Sequence, residues 1–587
     1  MKTARMTSRL QPLFPYLKRY RPQMAWGALS VLLSNGAWVL FPLVIERSIN
    51  DLKVGVTHRK LFLYAALLLG LACFKAVFLF LTRWILIGVS REIEFDLRND
   101  MFATLERQSA DYYQTHRTGD IMARMTNDLN AVRMLLGPAI MYSANTIIFL
   151  IGALFFMWRI SPKLTLWAFL PLPLASLLIQ AFGRKIYRRF ERIQAMFSEI
   201  SARAQENFSG ARLIRAFAQE EHEADTFEKA NLEYINRSLP LARLVSMLWP
   251  MLEFTIGLAL VIALLVGGRE VIQGRIEPGA FIAFTTYILL LTMPMIALGY
   301  VINLFQRGTA SVTRIHEMLS AKPTIDDSQA EVALAMDRFR GEIEFRNLSF
   351  AYGGRTVLKD VNLRIPEGSS LAIVGPTGSG KTTLVSLLPR MFDVAPGTLL
   401  VDGRTVREYP LETLRSNIGF VPQETFLFSE TIAENIRFGV PQASDADIEQ
   451  AASAAHIAED IHDFPKGFQT IVGERGITLS GGQKQRTAIA RALIRNPRIL
   501  ILDDALASVD TYTEERILED LRQRMQGRTT IFISHRVSTV RNADQIAVLM
   551  DGRIVELGRH EELLAKNGYY TSLYQKQQLE EELAVAG

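Results

Sequence analysis

The sequence predicts two joined parts of different fold class: an all-α membrane domain of six helices with long cytosolic helical extensions, followed by an α/β P-loop domain. Three observations predict this order. Six apolar stretches of about 20 residues crowd the first half of the 587-residue chain. A polar linker covers residues 320–340, and from residue 341 strand and helix patterns alternate around a glycine-rich loop. Residues 1–22, before the first stretch, are expected to lie along the membrane surface.

The membrane domain is predicted to cover residues 23–319. Its six candidate spans are 23–45, 61–87, 134–158, 164–182, 244–267 and 280–305. With the N-terminus inside, the inner segments hold 23 Lys and Arg residues and the outer loops hold 8, which is the bias of a cytosolic inner side. The sequence therefore predicts a multi-pass protein of the cytoplasmic membrane, with its N-terminus and its α/β domain in the cytosol.

The two inner connections, residues 91–133 and 183–243, are far longer than ordinary loops. They hold few glycines and many Arg, Glu, Ala and Leu residues, which predicts continuous helix. We expect the membrane helices to run on into the cytosol and to turn there, within reach of whatever lies beneath the membrane.

Composition excludes several classes of protein. The net charge of +5 is small for this length, and no basic stripe with interleaved aromatic residues is found, so a nucleic-acid partner is not expected. A single cysteine, Cys73, cannot build a disulfide framework and is expected to be a small buried hydrophobic residue. Lys75 and Glu253 fall inside predicted spans. They are candidates for a mutual ion pair, for positions facing polar crevices, or for cargo recognition.

The predicted phosphate site is LAIVGPTGSGKTT, an apolar strand followed by the pattern GxxxxGK[ST] and a helix. Glycines let backbone N–H groups close around phosphate oxygens, the lysine adds a positive charge, and the next hydroxyl suits Mg²⁺. The nucleotide-binding residues predicted here are Gly375, Pro376, Thr377, Gly378, Ser379, Gly380, Lys381, Thr382 and Thr383, with Thr382 also a metal ligand. The cofactors expected are ATP and Mg²⁺.

A second strand, RILILDD at 498–504, ends in two carboxylates. Asp503 is then placed to hold Mg²⁺, directly or through water, and Asp504 to orient the attacking water.

A second phosphate-binding device follows the first by about 100 residues, in the segment ITLSGGQKQR. Its residues Ser480, Gly481, Gly482 and Gln483 open a helix and supply backbone N–H groups and a hydroxyl. One chain cannot easily bring both devices onto one γ-phosphate, so two chains are expected to meet head to tail.

With these motifs the chain resembles an ABC exporter half-transporter: six spans fused to one nucleotide-binding domain, here residues 341–587. The resemblance implies further roles. Tyr352 would stack on adenine, Gln423 would contact Mg²⁺ and the attacking water, and His535 would contact the γ-phosphate. Ser508 and Asp510 would lie in the loop that crosses the dimer.

The resemblance extends to the segments that join the two parts. GERG at 473–476 is similar to the exporter loop that touches the inner connections. Residues 111–129 look like the first connection, with a short coupling helix near 115–121. Residues 206–221 look like the second connection, which in the family inserts into the partner chain.

Asp504 departs from the family, which normally carries glutamate at this position. One methylene fewer withdraws the carboxylate by about an ångström, and a misplacement of that size costs on the order of 10²-fold in rate. We therefore hypothesise a weakly hydrolysing site in one half of a heterodimer, with an intact LSGGQ given to the partner. The alternative is a slow homodimer that moves a lipid or a lipid-linked metabolite.

The expected activity is ATP-driven export, or leaflet translocation, of hydrophobic or amphipathic small molecules. The six spans argue against a soluble ABC ATPase of DNA repair or translation. Fusion of the spans to the ATPase disfavours an importer, which usually separates them. Nothing in the sequence specifies the cargo.

Overall fold

The computed structural model describes residues 10–331, 339–473, 476, 478–509 and 511–586. Within these ranges the side chains are described outside residues 172–181, 184, 248–249, 252, 293, 295–298, 511–512, 515, 522, 524, 538 and 580–586. Contacts divide the chain into two units. One comprises the residues up to Leu105 together with Gly119–Ala321, and the other comprises Glu106–Thr118 together with the residues from Lys322 onward. The second unit thus resumes at a residue inside the predicted linker.

The described part of the first unit is built from helices. They are α1 Phe14–Arg19, α2 Arg21–Val54, α3 His58–Glu106, α5 Thr118–Ala123, α6 Leu129–Met134, α7 Ile140–Ile160, α8 Pro162–Ala168, α9 Leu172–Ser209, α10 Ala211–Ala216, α11 Glu220–Ile272 and α12 Pro278–Leu319. The intervening helix, α4 Ala110–Thr115, belongs to the second unit. A 3₁₀ turn at Gln11–Leu13 precedes α1, and two π-helical stretches, Arg124–Asp128 and Leu135–Ala139, join α5, α6 and α7.

Four of the six predicted apolar stretches, 23–45, 61–87, 244–267 and 280–305, fall within single α-helices, and the third, 134–158, is helical throughout but includes the π-helical stretch Leu135–Ala139. Among the described residues, four helical segments are long and apolar enough to cross a membrane: Arg21–Val54, His58–Glu106, Thr118–Ile160 and Glu253–Ile272. The predicted fourth span is not one helix, because the chain turns at Phe169–Pro171 between α8 and α9. Pro171 stands in this turn, where it has no backbone N–H to donate to an earlier carbonyl.

The helices of the first unit approach one another closely while leaving large apolar side chains on the outside. A Cβ atom at Gly279 would lie 2.2 Å from the carbonyl oxygen of Glu46, so α12 and α2 touch at backbone distance. Tyr287 in α12 donates a 2.6 Å hydrogen bond to the Val39 carbonyl of α2. On α3, by contrast, Trp84 is 71% exposed. Such a surface suits lipid tails rather than water.

Three expectations for single residues change with the structure. Cys73 is exposed on α3 and is not a buried core residue. Lys75 and Glu253 are not paired with each other: the Lys75 ammonium lies 3.0 Å from the centre of the Trp38 ring, and Glu253 is exposed. The aromatic ring gives the lysine charge a partner at this depth.

The prediction that each inner connection is a continuous helix was wrong. The first is interrupted after α3, and a separate helix α4, Ala110–Thr115, follows an extended Ser109. The short coupling helix predicted near 115–121 falls between two helices, because α4 ends at Thr115, His116 is extended, and α5 begins at Thr118. The second connection is interrupted at Gly210 and again at residues 217–219, which isolates α10.

Helix α4 belongs by its contacts to the second unit. Ala110 packs against the main apolar core of that unit, and the Ser109 and Thr324 hydroxyl oxygens are 2.7 Å apart. The unit therefore includes a segment that is distant from it in sequence.

The remainder of the second unit is α/β. Its strands are β1 Ile343–Tyr352, β2 Arg355–Ile365, β3 Ser370–Val374, β4 Leu399–Val401, β5 Arg404–Thr405, β6 Ile418–Val421, β7 Ile499–Asp503, β8 Thr529–Ile533, β9 Gln545–Met550 and β10 Arg553–Gly558. Its helices are α13 Lys381–Ser386, α14 Leu411–Ser416, α15 Ile432–Arg437, α16 Asp445–Ala454, α17 Ala458–His462, α18 Gly481–Leu493, α19 Thr511–Arg524, α20 Val537–Val540, α21 His560–Ala565 and α22 Tyr569–Ala586, with a 3₁₀ turn at Gly467–Gln469.

The strands form two sheets. A four-stranded antiparallel sheet has the order β2-β1-β4-β5, and a six-stranded sheet has the order β10-β9-β3-β8-β7-β6. In the larger sheet β9, β3, β8, β7 and β6 run parallel. Every residue of β7 and β8 is buried, as expected for parallel strands covered on both faces. The carboxyl ends of the parallel strands therefore meet at one edge, where a ligand site is expected.

Candidate active site

Four neighbouring parallel strands deliver the predicted site residues to that edge. The glycine loop follows β3, His535 follows β8, Asp503 ends β7, and Gln423 follows β6. Together they enclose a cavity of about 280 Å³. It is lined by Tyr352, Val357, Thr377, Gly378, Gly380, Lys381, Thr382, Thr383, Gln423, Asp503, Asp504, Ile533 and His535.

The glycine loop has a shape that a side chain would not allow at its first position. Gly375 has φ +151°, and a Cβ atom there would lie 2.1 Å from the Leu549 carbonyl oxygen. Gly380 has φ +105° and immediately precedes α13. Lys381, 7% exposed, donates 2.9 Å hydrogen bonds from Nζ to the carbonyl oxygens of Gly375 and Pro376. The lysine is thus anchored inside the loop that it is predicted to serve.

The residues at the floor of the cavity fit a phosphate with a divalent cation. Asp503 is 1% exposed, and its Oδ1 accepts a 3.2 Å hydrogen bond from the Thr382 hydroxyl. Within the described part of the chain, Asp503 Oδ2 and Ser379 Oγ are buried without a hydrogen-bond partner. A carboxylate oxygen beside a threonine hydroxyl is an oxygen set that suits Mg²⁺, and the serine hydroxyl suits a phosphate oxygen.

Burial shifts the pKa values of both charged groups at the floor. Burial raises the Asp503 pKa, the nearby Asp504 charge raises it further, and the Thr382 hydrogen bond and the Lys381 charge oppose the rise. Burial lowers the Lys381 pKa, against the charges of Asp503 and Asp504. Each group is therefore short of counter-charge, which a magnesium triphosphate would supply.

Asp504 lies at the same edge with a constrained backbone. Its φ of +48° is in the left-handed region, and its N–H donates a 2.9 Å hydrogen bond to the Ile533 carbonyl of β8. The preceding residue, Asp503, is paired with Ile533 in the β7–β8 register. These contacts fix the Cα position from which the carboxylate extends into the cavity.

Three of the five residues assigned from resemblance alone, Tyr352, Gln423 and His535, also line the cavity. Tyr352 packs edge-on against Phe350 and Phe392, with ring centres 4.9 and 5.1 Å apart, and its hydroxyl is 3.4 Å from Thr383 Oγ1. Gln423 and His535 have exposed side chains. The carbonyl oxygen of His535 accepts a hydrogen bond from Gln577 Nε2 in α22, which holds this end of β8.

The LSGGQ residues do not line the cavity. Ser480 and Gln483 cap α18 reciprocally, because each side chain bonds the other residue's backbone N–H at 3.2 and 3.0 Å. Gln483 also donates to Asp460 Oδ1 at 3.0 Å. Ser508 is held close to this segment, since its N–H donates to Gln485 Oε1 at 2.9 Å. Asp510, and Glu474 and Arg475 of GERG, lie outside the described residues.

Sequence reasoning missed Val357 and Ile533 as lining residues. It also missed Gln485 as the residue that joins the signature helix to the loop after Asp504. Val357 in β2 and Ile533 in β8 are ordinary apolar strand residues, so no local signal distinguishes them. Gln485 lies inside the quoted motif, and its 6% exposure is a polar burial that only the fold reveals.

Comparison with known proteins agrees with both halves of the chain. The family profile for the ABC transporter transmembrane region matches residues 24–295, and that for the ABC transporter matches residues 358–507. A probable multidrug resistance ABC transporter ATP-binding/permease protein, YheI of Bacillus subtilis, is 36% identical over 98% of both chains. An ATP-dependent lipid A-core flippase of Syntrophus aciditrophicus is 39% identical over 83% of this chain and 81% of its own.

Solved structures give the same result. A structure of a bacterial Atm1-family ABC exporter with ATP bound covers 95% of this chain and 98% of its own, with a TM-score of 0.79 and 28% identity. The chain belongs to the ABC transporter family: it is an exporter-type half-transporter in which a helical membrane domain is fused to an ATPase that couples ATP hydrolysis to transport.

Proposed function

We propose that this chain is the weakly hydrolysing half of a heterodimeric exporter. It binds ATP with Mg²⁺ at its own glycine loop and lends its LSGGQ segment to the partner's site. The observation that carries the proposal is Asp504, which stands where the family normally has glutamate. Its backbone is held between β7 and β8, so the chain cannot move forward to make up for the missing methylene.

The cavity residues divide the work of binding and hydrolysis. The glycine loop and Lys381 hold the phosphates, and Tyr352 packs against the adenine ring. Thr382, Asp503 and Gln423 would hold Mg²⁺, which when bound neutralises charge on the phosphates. Asp504 orients the attacking water from a withdrawn position. His535 contacts the terminal phosphate.

The position of the signature segment supports a two-chain site. Ser480 to Gln483 open α18 outside the cavity of their own chain. The Ser480 and Gln483 N–H groups are taken up by the reciprocal cap, so the N–H groups of Gly481 and Gly482 are the ones proposed to serve a nucleotide held by a second chain. Ser508 and Asp510 are proposed to belong to the loop that meets that chain. In the heterodimer one composite site combines the weak glycine-loop half of this chain with the partner's signature. The other composite site has the reverse combination.

ATPase activity of the purified chain tests the proposal. The chain alone is expected to bind MgATP but to turn it over slowly, and copurification with an untagged neighbour is expected to raise the rate. The matched control is Asp504→Ala. Robust turnover by the chain alone, abolished by that substitution, would show a working homodimer and contradict the weak-site proposal.

The cargo class proposed is hydrophobic or amphipathic small molecules moved across the cytoplasmic membrane, with the N-terminus and ATPase in the cytosol. The names of the relatives, a probable multidrug resistance ABC transporter ATP-binding/permease protein and an ATP-dependent lipid A-core flippase, support this class. Glu253 is an exposed carboxylate at the start of an apolar helical segment. Glu253→Gln is expected to reduce export of cationic dyes but not of neutral dyes. The control is Glu228→Gln, at an exposed residue of the cytosolic part of α11, which should change the export of neither dye. Equal loss for both dyes would remove Glu253 from cargo recognition.

Helix α10 is proposed to couple the two chains. Leu213 in α10 and Phe217 just after it are 64% and 68% exposed, although both are apolar. This exposed apolar helix is expected to insert into the partner's ATPase domain. A photo-crosslinking residue at position 213 should give a covalent dimer, and one at the exposed Leu232 should not. Crosslinks confined to a single chain would contradict the insertion.

The second candidate is a slow homodimer that flips a lipid or lipid-linked metabolite. The identity of 39% to a lipid A-core flippase favours it. It predicts weak activity of the chain alone that depends on Asp504 and rises with lipid cargo. An importer of the fused half-transporter type is a third, weaker candidate. Reconstitution in vesicles, with transport measured from both faces, separates export from import.

A further inference from the structure

A second polar network lies on the other side of the loop that follows Asp504. Glu514 in α19 is 2% exposed, and its two oxygens accept hydrogen bonds from different residues. Arg536 donates to one through Nη1, and the Thr539 hydroxyl donates to the other. The sequence patterns that predict the nucleotide site do not use these residues.

Arg536 also reaches the loop itself. Its Nη1 donates to the Val509 carbonyl oxygen at 3.3 Å, and its Nη2 donates to the Ala507 carbonyl oxygen at 3.5 Å. One guanidinium group therefore joins α19 to the turn that begins directly after Asp504. That turn also contains Ser508.

The backbone at Arg536 is also held by hydrogen bonds. Its own N–H donates to Ser534 Oγ at 3.0 Å. On either side of it, Gln577 from α22 bonds the His535 carbonyl oxygen and accepts a 2.7 Å hydrogen bond from the Val537 N–H. The backbone that carries His535 and Arg536 is thus fixed from a helix outside the site.

The space between the turn after Asp504, helix α19 and the end of β8 is not filled by side chains. A cavity of about 110 Å³ is bounded by Asp504, Ala507, Glu514, Ser534, His535 and Arg536, among others. Apolar packing holds part of the turn, because Ala505, Leu506 and Val509 belong to a buried hydrophobic cluster, but the cavity leaves room for the turn to move on the side that faces Arg536. The guanidinium of Arg536 bridges that gap.

We propose that Glu514 and Arg536 are a positioning pair for hydrolysis, which holds the turn after Asp504 at a fixed distance from the strand end that carries His535. The inference rests on the proposed role of Asp504 in orienting water, and it adds two residues that touch neither nucleotide nor metal. Loss of the pair lets the turn drift into the adjacent cavity. Drift of about an ångström at a reacting group lowers the rate on the order of 10²-fold, while nucleotide binding by the glycine loop is retained.

The test uses the full-length protein in detergent, with its partner chain where one copurifies. Glu514→Gln and Arg536→Met are each measured for kcat, for the Kd of MgATP and for Tm. Each single variant leaves one charge of the ion pair without its counter-charge, which costs stability. The double variant Glu514→Gln/Arg536→Met removes both charges and so relieves that defect. The matched control is Glu344→Gln/Arg346→Gln, which removes a partly exposed ion pair, 2.6 Å apart, from β1 of the same domain.

The expected result is a 10- to 100-fold fall in kcat for both single variants, with the Kd of MgATP changed less than about threefold. The double variant recovers Tm but not kcat, and the control changes neither. Recovery of kcat together with Tm would overturn the proposal, because the pair would then matter only for stability. A parallel loss of ATP affinity would also overturn it.

The same variants in an Asp504→Glu background separate this proposal from the weak-site proposal. If Asp504→Glu leaves turnover unchanged while the single variants still lower kcat, the positioning pair is upheld and the weak site fails. If Asp504→Glu raises turnover and the single variants leave kcat unchanged, the pair fails and the weak site stands.

Discussion

Restoring a glutamate at position 504 should accelerate the enzyme and slightly weaken the fold. The added methylene advances the carboxylate by about an ångström, and the Asp504 N–H bond to the Ile533 carbonyl at 2.9 Å keeps the backbone from compensating in either variant. A shift of that size at a reacting group corresponds to a rate change on the order of 10²-fold, or about 2.7 kcal/mol in activation free energy.

The stability effect has the opposite sign. Asp504 has φ +48°, and aspartate tolerates this left-handed conformation better than glutamate because its short side chain bonds the local backbone. We expect a cost of about 1 kcal/mol from the strain, which lowers Tm by about 2–4 °C in a unit of this size.

The assay is phosphate release at saturating MgATP, with Tm measured in the same samples. Asp504→Asn is the control, since it keeps the length but removes the charge, and it should show no gain in rate. If Asp504→Glu folds with the expected small drop in Tm but turns over no faster, carboxylate reach does not limit hydrolysis. The slow step would then lie elsewhere in the site.

Three further outcomes follow from the structure. Because burial raises the Asp503 pKa, the ionised carboxylate destabilises the folded state at neutral pH. Asp503→Asn should therefore raise Tm at pH 7 and abolish Mg²⁺-dependent hydrolysis, and the Tm gain should vanish as the pH falls through the raised pKa. Gly375→Ala should abolish nucleotide binding and lower the stability more than Gly397→Ala does. At Gly397 φ is +77° but no atom lies within 4 Å of an added Cβ, so the backbone strain alone lowers the stability by about 1–2 kcal/mol. Equal Tm losses would show that the close carbonyl contact is unimportant. Asp128→Asn should lower stability by about 1–3 kcal/mol by weakening its bonds to the half-exposed Arg314, and an unchanged Tm would mean that solvent replaces them.

The strands and the glycine loop were predictable because their signals are local. A short apolar run ending in DD is typical of a buried strand with an acidic end, and the parallel topology then brings Asp503, His535 and Gln423 to one edge. The helical connections were not predictable in detail. Gly210 ends its helix as a C-cap, a local signal that was present in the sequence, whereas Ser109 and the residues around it lie in a stretch whose composition favours continuous helix.

The polar partners within the ATPase unit were the least accessible to sequence. Nothing near Glu514 marks it as a residue that turns inward to meet Arg536, 22 positions later. The exposure of Cys73 was also not predictable. A stretch that is apolar on all sides gives no signal of which face of the helix packs inward and which face is exposed.

Helix α4 changes how the molecule should be divided for study. Ala110 packs against the ATPase core, and the Ser109 hydroxyl contacts that of Thr324. A truncation that starts at residue 341 would therefore remove residues 106–118 and expose the apolar surface that Ala110 covers. We expect such a fragment to aggregate at concentrations where one carrying residues 106–118 on a tether stays monodisperse. The contacts that define the ATPase unit therefore come from two separate segments of the sequence.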